Sequence, residues 1–274
     1  MTSPEPTYAA PPRDEVPLWV PFVALVAILF LISLVGAAVF GIISATDPAI
    51  DDADDLPVGV TQALTAVQDV VFVFVGWIAV RLALGRAPRE RFGLVRVRRF
   101  WDAVGWAIVA YALFWAVAIA LSQIFGEPEE QTLVTDLEQE DALGILAAWA
   151  LLICVAAPIV EEFFFRGFMF GVFARRLGPV WGALLTGVVF GLGHAPADAI
   201  QLVALGAFGV GLCLLYWRTK SIIPCMALHA LNNSITYGVT KDLEPAVFAG
   251  VVVASVGTVI AAGVAVSARA KAAA

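Results

Sequence analysis

Charge is scarce in this chain. Charged residues make up 14% of its 274 residues, against about 25% in a typical soluble domain. With 61% hydrophobic residues and a mean hydropathy of +0.91, that shortage places the chain in the membrane class and leaves no room for a second, soluble domain. Cysteine is nearly missing too. Cys154, Cys213 and Cys225 lie in or beside apolar segments with no C-x-x-C spacing, which argues against a disulfide framework or a thiolate zinc site and leaves small apolar packing residues. There is no H-E-x-x-H, so any zinc site has to be assembled from separate helices. Two acidic loops, "DPAIDDADDLP" and "EPEEQTLVTDLEQEDA", contain no Lys or Arg at all.

What the chain does have is apolar runs. About 20 helical residues cross a bilayer, and such runs recur at 18–45, 60–84, 103–125, 143–174, 179–196, 199–217, 221–240 and 245–267. The expectation is an all-α, polytopic membrane helix bundle of about eight transmembrane helices. The first run is far longer than a signal-peptide core and reads as a retained helix. The fourth contains Pro158 and predicts a kink or a projection beyond the bilayer. Eight crossings put the two acidic loops on one side and every basic residue except Lys241 and Arg166 on the other. The positive-inside rule then sets both termini in the cytoplasm. The arginine cluster at 81–99 is explained by topology, so no nucleic-acid partner is called for. The Ala-, Val- and Arg-rich composition without targeting signals points to a bacterial cytoplasmic membrane. By segment, residues 1–142 hold a tail and three helices, 143–240 the candidate catalytic core, and 241–274 the last helix and tail.

Inside the fourth run stands "PIVEEFFFRGF". An ionisable residue at mid-membrane costs roughly 2.5–3.5 kcal/mol on insertion scales and is a functional candidate by default. Glu162 and Arg166 are four apart, on one helical face, and can neutralise each other. Glu161 points about 100° away and has no basic residue three or four positions off. The two histidines, His194 and His229, both fall inside apolar runs. Phe190 lies four residues before the first and Asn233 four after the second. A carboxylate beside an imidazole can hold a water and take its proton. An imidazole and a carboxamide on one face can hydrogen-bond the oxyanion formed on attack. Alternatively, Glu161, His194 and His229 make a three-ligand zinc site with a fourth position for water. Both schemes are hydrolytic.

Three motifs, Glu161-Glu162-x-x-x-Arg166, Phe190-x-x-x-His194 and His229-x-x-x-Asn233, resemble those of the CPBP family: the type II CAAX prenyl proteases and their prokaryotic, Abi-like relatives, including bacteriocin-processing enzymes. They occur in order between Leu143 and Tyr237. The resemblance implies an intramembrane endopeptidase, of glutamate or metalloprotease type, acting on a hydrophobic or lipid-modified membrane substrate. Glu161 would be the catalytic glutamate, His194 the water-activating histidine, His229 and Asn233 the transition-state stabilisers, and Glu162 with Arg166 the supporting ion pair. Zinc is the one cofactor it raises, on Glu161, His194 and His229. The competing readings are a non-hydrolytic interaction or immunity protein on the same scaffold and a proton-coupled transporter. Of the smaller features, the Phe163–Phe173 aromatics are expected to face lipid, Gly187, Gly191 and Gly193, with Gly206, Gly209 and Gly211 of the next span, to let helices approach closely and bring the fifth helix against the fourth, and Gln68 and Asp69 to make an interhelical bond.

Overall fold

The structure, a computed structural model, describes residues 16–85, 89–126, 137, 140–194 and 198–272. In hydrocarbon every backbone polar group must be satisfied within the segment, which leaves helices as the form for apolar runs of this length. Eight long helices result among the described residues: α1 Trp19–Thr46, α2 Val58–Leu84, α3 Phe100–Phe125, α4 Leu143–Leu177, α5 Pro179–Leu192, α6 Ala199–Thr219, α7 Ile223–Thr240 and α8 Pro245–Ala272. Six of them, α1 to α4, α6 and α8, are long and apolar enough to cross a membrane. α5 has 14 residues and is only about 21 Å long, so it ends inside a bilayer core of ~30 Å. The expected run to residue 196 therefore stops early: the helix terminates at Leu192, where Gly191 and Gly193 weaken it, and His194 lies just beyond its end.

Two turns position the core. Gly178, at φ +82°, ends α4 and begins α5, and Pro179 at the first helical position starts the return. Between α6 and α7, Lys220 takes a left-handed conformation. The turn is then pinned by the segment before α3: Ser221 Oγ donates to the Val95 carbonyl at 2.6 Å and Ile222 N–H to the Gly93 carbonyl at 2.9 Å.

Lipid tails are as apolar as a leucine core, so helix association rests on close packing rather than on escape from water. α5 and α6 show this most plainly. A Cβ on Gly187 would stand 2.7 Å from the Gly206 carbonyl oxygen, and one on Gly191 would collide with the Leu202 carbonyl. These glycines thus seat α5 on α6, not on α4 as the sequence suggested; Gly182 is the one that meets α4, at Ala174. The phenylalanines of α4 also depart from expectation. Phe164, Phe165, Phe168, Phe170 and Phe173 are all buried in the protein interior. Phe164 meets Phe72 of α2 edge-on, and Phe165 meets Phe190 of α5 likewise. The lipid-facing side is carried instead by residues such as Leu82, Trp101 and Val253. The three cysteines are free and buried, as packing residues should be.

α4 is not one regular helix. It has π-helical stretches at Leu152–Ala156 and Phe163–Phe170, separated by the α-helical turn Ala157–Glu162 that carries both glutamates. In the first stretch the Ala157 N–H reaches back to the Leu152 carbonyl. Continuing that pattern, the Ile153 carbonyl would need the N–H of residue 158, which is proline and has none. Asn233 of α7 fills the gap, its Nδ2 donating to Ile153 O at 2.9 Å. Two further ties fasten the start of α4: Gln62 Nε2 to Ile145 O and Tyr237 Oη to Leu146 O, each 2.9 Å.

Candidate active site

Glu162 and Arg166 sit on α4 with side chains 0% exposed. Oε1 of Glu162 accepts from Arg166 Nη1 at 2.7 Å and from His229 Nδ1, on α7, at 2.9 Å. A guanidinium with no water around it needs other partners. Here Nη2 donates to the Gly209 carbonyl of α6 at 3.3 Å, and the cation lies 4.4 Å from the centroid of the Phe190 ring, an arrangement in which the ring face attracts the charge. Oε2 of Glu162 and Nε of Arg166 are buried without a hydrogen-bond partner. The pair anticipated from i,i+4 spacing is present. The bond from His229 was not anticipated, because it depends on how α7 crosses α4 and leaves no trace in local spacing.

His194 is held differently. At the end of α5 the last carbonyls lack helical donors, and His194 Nδ1 lies 2.8 Å from the Phe190 carbonyl oxygen. A carbonyl only accepts, so that nitrogen carries a proton, and in the neutral form of the ring Nε2 presents a lone pair. The Phe190 ring lies 4.8 Å from the His194 ring and 5.9 Å from the His229 ring, centroid to centroid. One phenylalanine therefore touches the arginine and both imidazoles while its own carbonyl sets the orientation of one of them. In the sequence Phe190 stands only as a motif position; nothing there points to this junction role.

Glu161 is not part of this bonded group. It is half-buried, and its Oε2 is buried without a hydrogen-bond partner. Among the described residues it is the titratable group that acts electrostatically on Asp69 of α2. Asp69 is 8% exposed, with Oδ2 likewise unpartnered, so the interhelical bond expected of it is not made through that oxygen. A recess of about 470 Å³ beside this pair is lined by Asp69, Val70, Val73, Phe74, Trp77 and Val160. Asn233 spends one amide proton on Ile153, and its Oδ1 accepts from Asn232 Nδ2 at 3.3 Å.

The structure thus joins Glu162, Arg166 and His229 in one bonded group, sets His194 against the same phenyl ring, and leaves Glu161 and Asn233 outside that bonding. A three-ligand zinc site needs its donors turned to one point. Among the described residues no three His, Cys, Asp or Glu side chains form such a group. As arranged, Glu161, His194 and His229 do not fit a zinc ion.

Residues 143–235 match the family described as type II CAAX prenyl endopeptidase Rce1-like. Among curated proteins, "Putative membrane peptidase YdiL" of Bacillus subtilis (strain 168) is 29% identical over 174 residues, which is 61% of this chain and 68% of that protein. "Uncharacterized protein YyaK" of the same organism is 27% identical over 164 residues, 57% of this chain, and the match spans about half of that protein, 54%. No solved structure matches the chain. The matched stretch runs from the start of α4 into α7 and takes in all seven motif residues, so that the core of this membrane bundle is similar to the CPBP family of Rce1-like endopeptidases.

Proposed function

We propose that the chain is an intramembrane endopeptidase in which Glu161 and His194 activate a water, and His229 and Asn233 stabilise the oxyanion that follows. The observation that carries this reading is the division of labour between two adjacent carboxylates. Glu162 Oε1 is shared by Arg166 and His229 in a buried ion pair, whereas among the described residues Glu161 makes no ion pair. A general base gives up its charge when it takes a proton, which at Glu162 would leave the buried Arg166 without its counter-ion and at Glu161 would not.

The steps follow from the atoms available. His194 Nε2, left as an acceptor by the Nδ1 bond to Phe190, orients the water by accepting one of its hydrogens. Glu161 takes the other proton as the water oxygen bonds to the peptide carbonyl carbon. The carbonyl oxygen becomes an oxyanion. Asn233 has a second amide proton beyond the one given to Ile153, and His229, whose Nδ1 is bonded to Glu162, would add an N–H when its Nε2 also carries a proton. Glu161 then returns its proton to the departing amide nitrogen, the C–N bond breaks, and a carboxylic acid and an amine leave. No step is routed through a metal. The substrate class that suits such a site is a hydrophobic or lipid-modified peptide held at the membrane, in line with the family's name.

The test compares peptide termini in the proteomes of cells carrying the wild-type chain and Glu161→Gln. A set of membrane-protein termini present with the former and lost with the latter, while the variant folds and inserts normally, is the expected result. Identical termini in both would overturn the reading and favour a binding protein on the same scaffold.

A further inference from the structure

A groove unrelated to the glutamates runs along the opposite side of α7. α3 and α8 both pack beside α7 without closing over it. Between them they leave a cavity of about 850 Å³, with α7 as its floor from Ile223 to Leu231. That volume is in the range of sites that hold a small molecule, roughly 300–1,000 Å³. The α3 wall from Phe100 to Tyr111 is about 16 Å long and the α8 wall from Val252 to Val264 about 18 Å, at ~1.5 Å per residue. Half of a ~30 Å hydrocarbon core is about 15 Å. The groove is therefore one leaflet deep.

Its polarity is graded. The lining is apolar except at Tyr111, at the deep end, and Arg96, at the mouth. Arg96 is exposed, and among the described residues no carboxylate pairs with it. The mouth is also the arginine-rich end of the bundle, where the segment before α3 is bonded to the α6–α7 turn. A slot of leaflet length with an unneutralised cation at its interfacial end complements an amphiphile with an apolar chain and an anionic head. We infer that the α3–α7–α8 groove binds an anionic phospholipid, an acyl chain lying between Tyr111 and Ile223 and the phosphate-bearing head on Arg96. This inference does not depend on the peptidase reading, since the groove and the glutamates lie on different faces of the core.

The experiment uses the full chain, purified in a neutral detergent and exposed to equal amounts of phosphatidylglycerol and phosphatidylcholine with identical acyl chains. Bound lipids are counted by native mass spectrometry. Wild type is expected to retain phosphatidylglycerol in preference. Arg96→Gln is expected to cut that preference roughly fivefold, the worth of one basic residue at an anionic surface. Arg98→Gln, which removes an equal charge outside the groove, leaves it unchanged. Ala227→Phe, which fills the floor, lowers retention of both lipids. Equal retention of the two lipids by wild type, an Arg98→Gln effect as large as that of Arg96→Gln, or a dimer that forms with loss of bound lipid would each overturn the inference; the Arg96 and Arg98 variants alter exposed side chains, so the result does not hinge on whether Ala227→Phe folds.

Discussion

Replacing Arg166 by methionine removes a cation that the structure surrounds entirely with protein. Its loss takes away the 2.7 Å bond to Glu162, the 3.3 Å bond to Gly209 and the ring contact at 4.4 Å. Both side chains are 0% exposed, so water cannot compensate the carboxylate left behind. Breaking a buried pair by removing one partner costs about 3–5 kcal/mol. His229 still bonds Glu162 and places the cost toward the lower figure. Glu162→Leu should cost a similar amount, because it strands the arginine on a single carbonyl. The double variant should lose much less than the sum, since apolar replacement of a whole buried pair is often close to neutral. The coupling expected from the cycle is ~2 kcal/mol or more. Thermal unfolding in detergent micelles measures it: at about 2–4 °C per kcal/mol for a large domain, the single variants should fall by roughly 6–15 °C and the double by only a few degrees. Additive losses would refute the claim that these two side chains form one electrostatic unit.

Three further outcomes follow from other features. Asn233→Leu should destabilise the chain by ~1–3 kcal/mol by orphaning the Ile153 carbonyl, and in a Pro158→Ala background, where residue 158 regains its N–H, the loss should shrink; equal losses in both backgrounds in thermal melts would disprove the substitution of one donor for the other. Gly191→Ala should cost ~1–3 kcal/mol by forcing a methyl against the Leu202 carbonyl, while Gly36→Ala, with nothing within 4 Å of the new Cβ, should be neutral or slightly stabilising; melting temperatures decide. If the glutamate scheme holds, Glu161→Gln should slow cleavage by about 10²–10⁴ with an unchanged melting temperature, and activity of the wild type should survive a chelator; loss of activity restored by zinc would replace the water-activation step.

Most of the fold could be read in the sequence because lipid admits few backbone solutions. Eight apolar runs became eight helices. Hydropathy could not say which face of α4 meets lipid, since Phe164 buried against Phe72 and a phenylalanine in acyl chains look alike on any transfer scale. The end of α5 at Leu192 is marked in the sequence by Gly193 and Pro196, but hydropathy alone carried the run on to residue 196. At the site, Glu162–Arg166 was legible because four-residue spacing is a local matter. The bond between Glu162 and His229 was not, because it joins residues 67 positions apart through a helix crossing that no periodicity encodes. The π-helical stretches were likewise hidden: Pro158 announced a missing donor but not which carbonyl would go short.

Those two stretches also set the aim of everything downstream on α4. A π turn accommodates one residue more than the regular coil, which swings the side chains beyond it by about 100° relative to an uninterrupted helix. With Leu152–Ala156 ahead of the two glutamates and Phe163–Phe170 behind them, the short turn bearing Glu161 and Glu162 is rotated independently of the apolar rod on either side. The bundle can thus keep its greasy faces matched to their neighbours while pointing its acids wherever the chemistry requires.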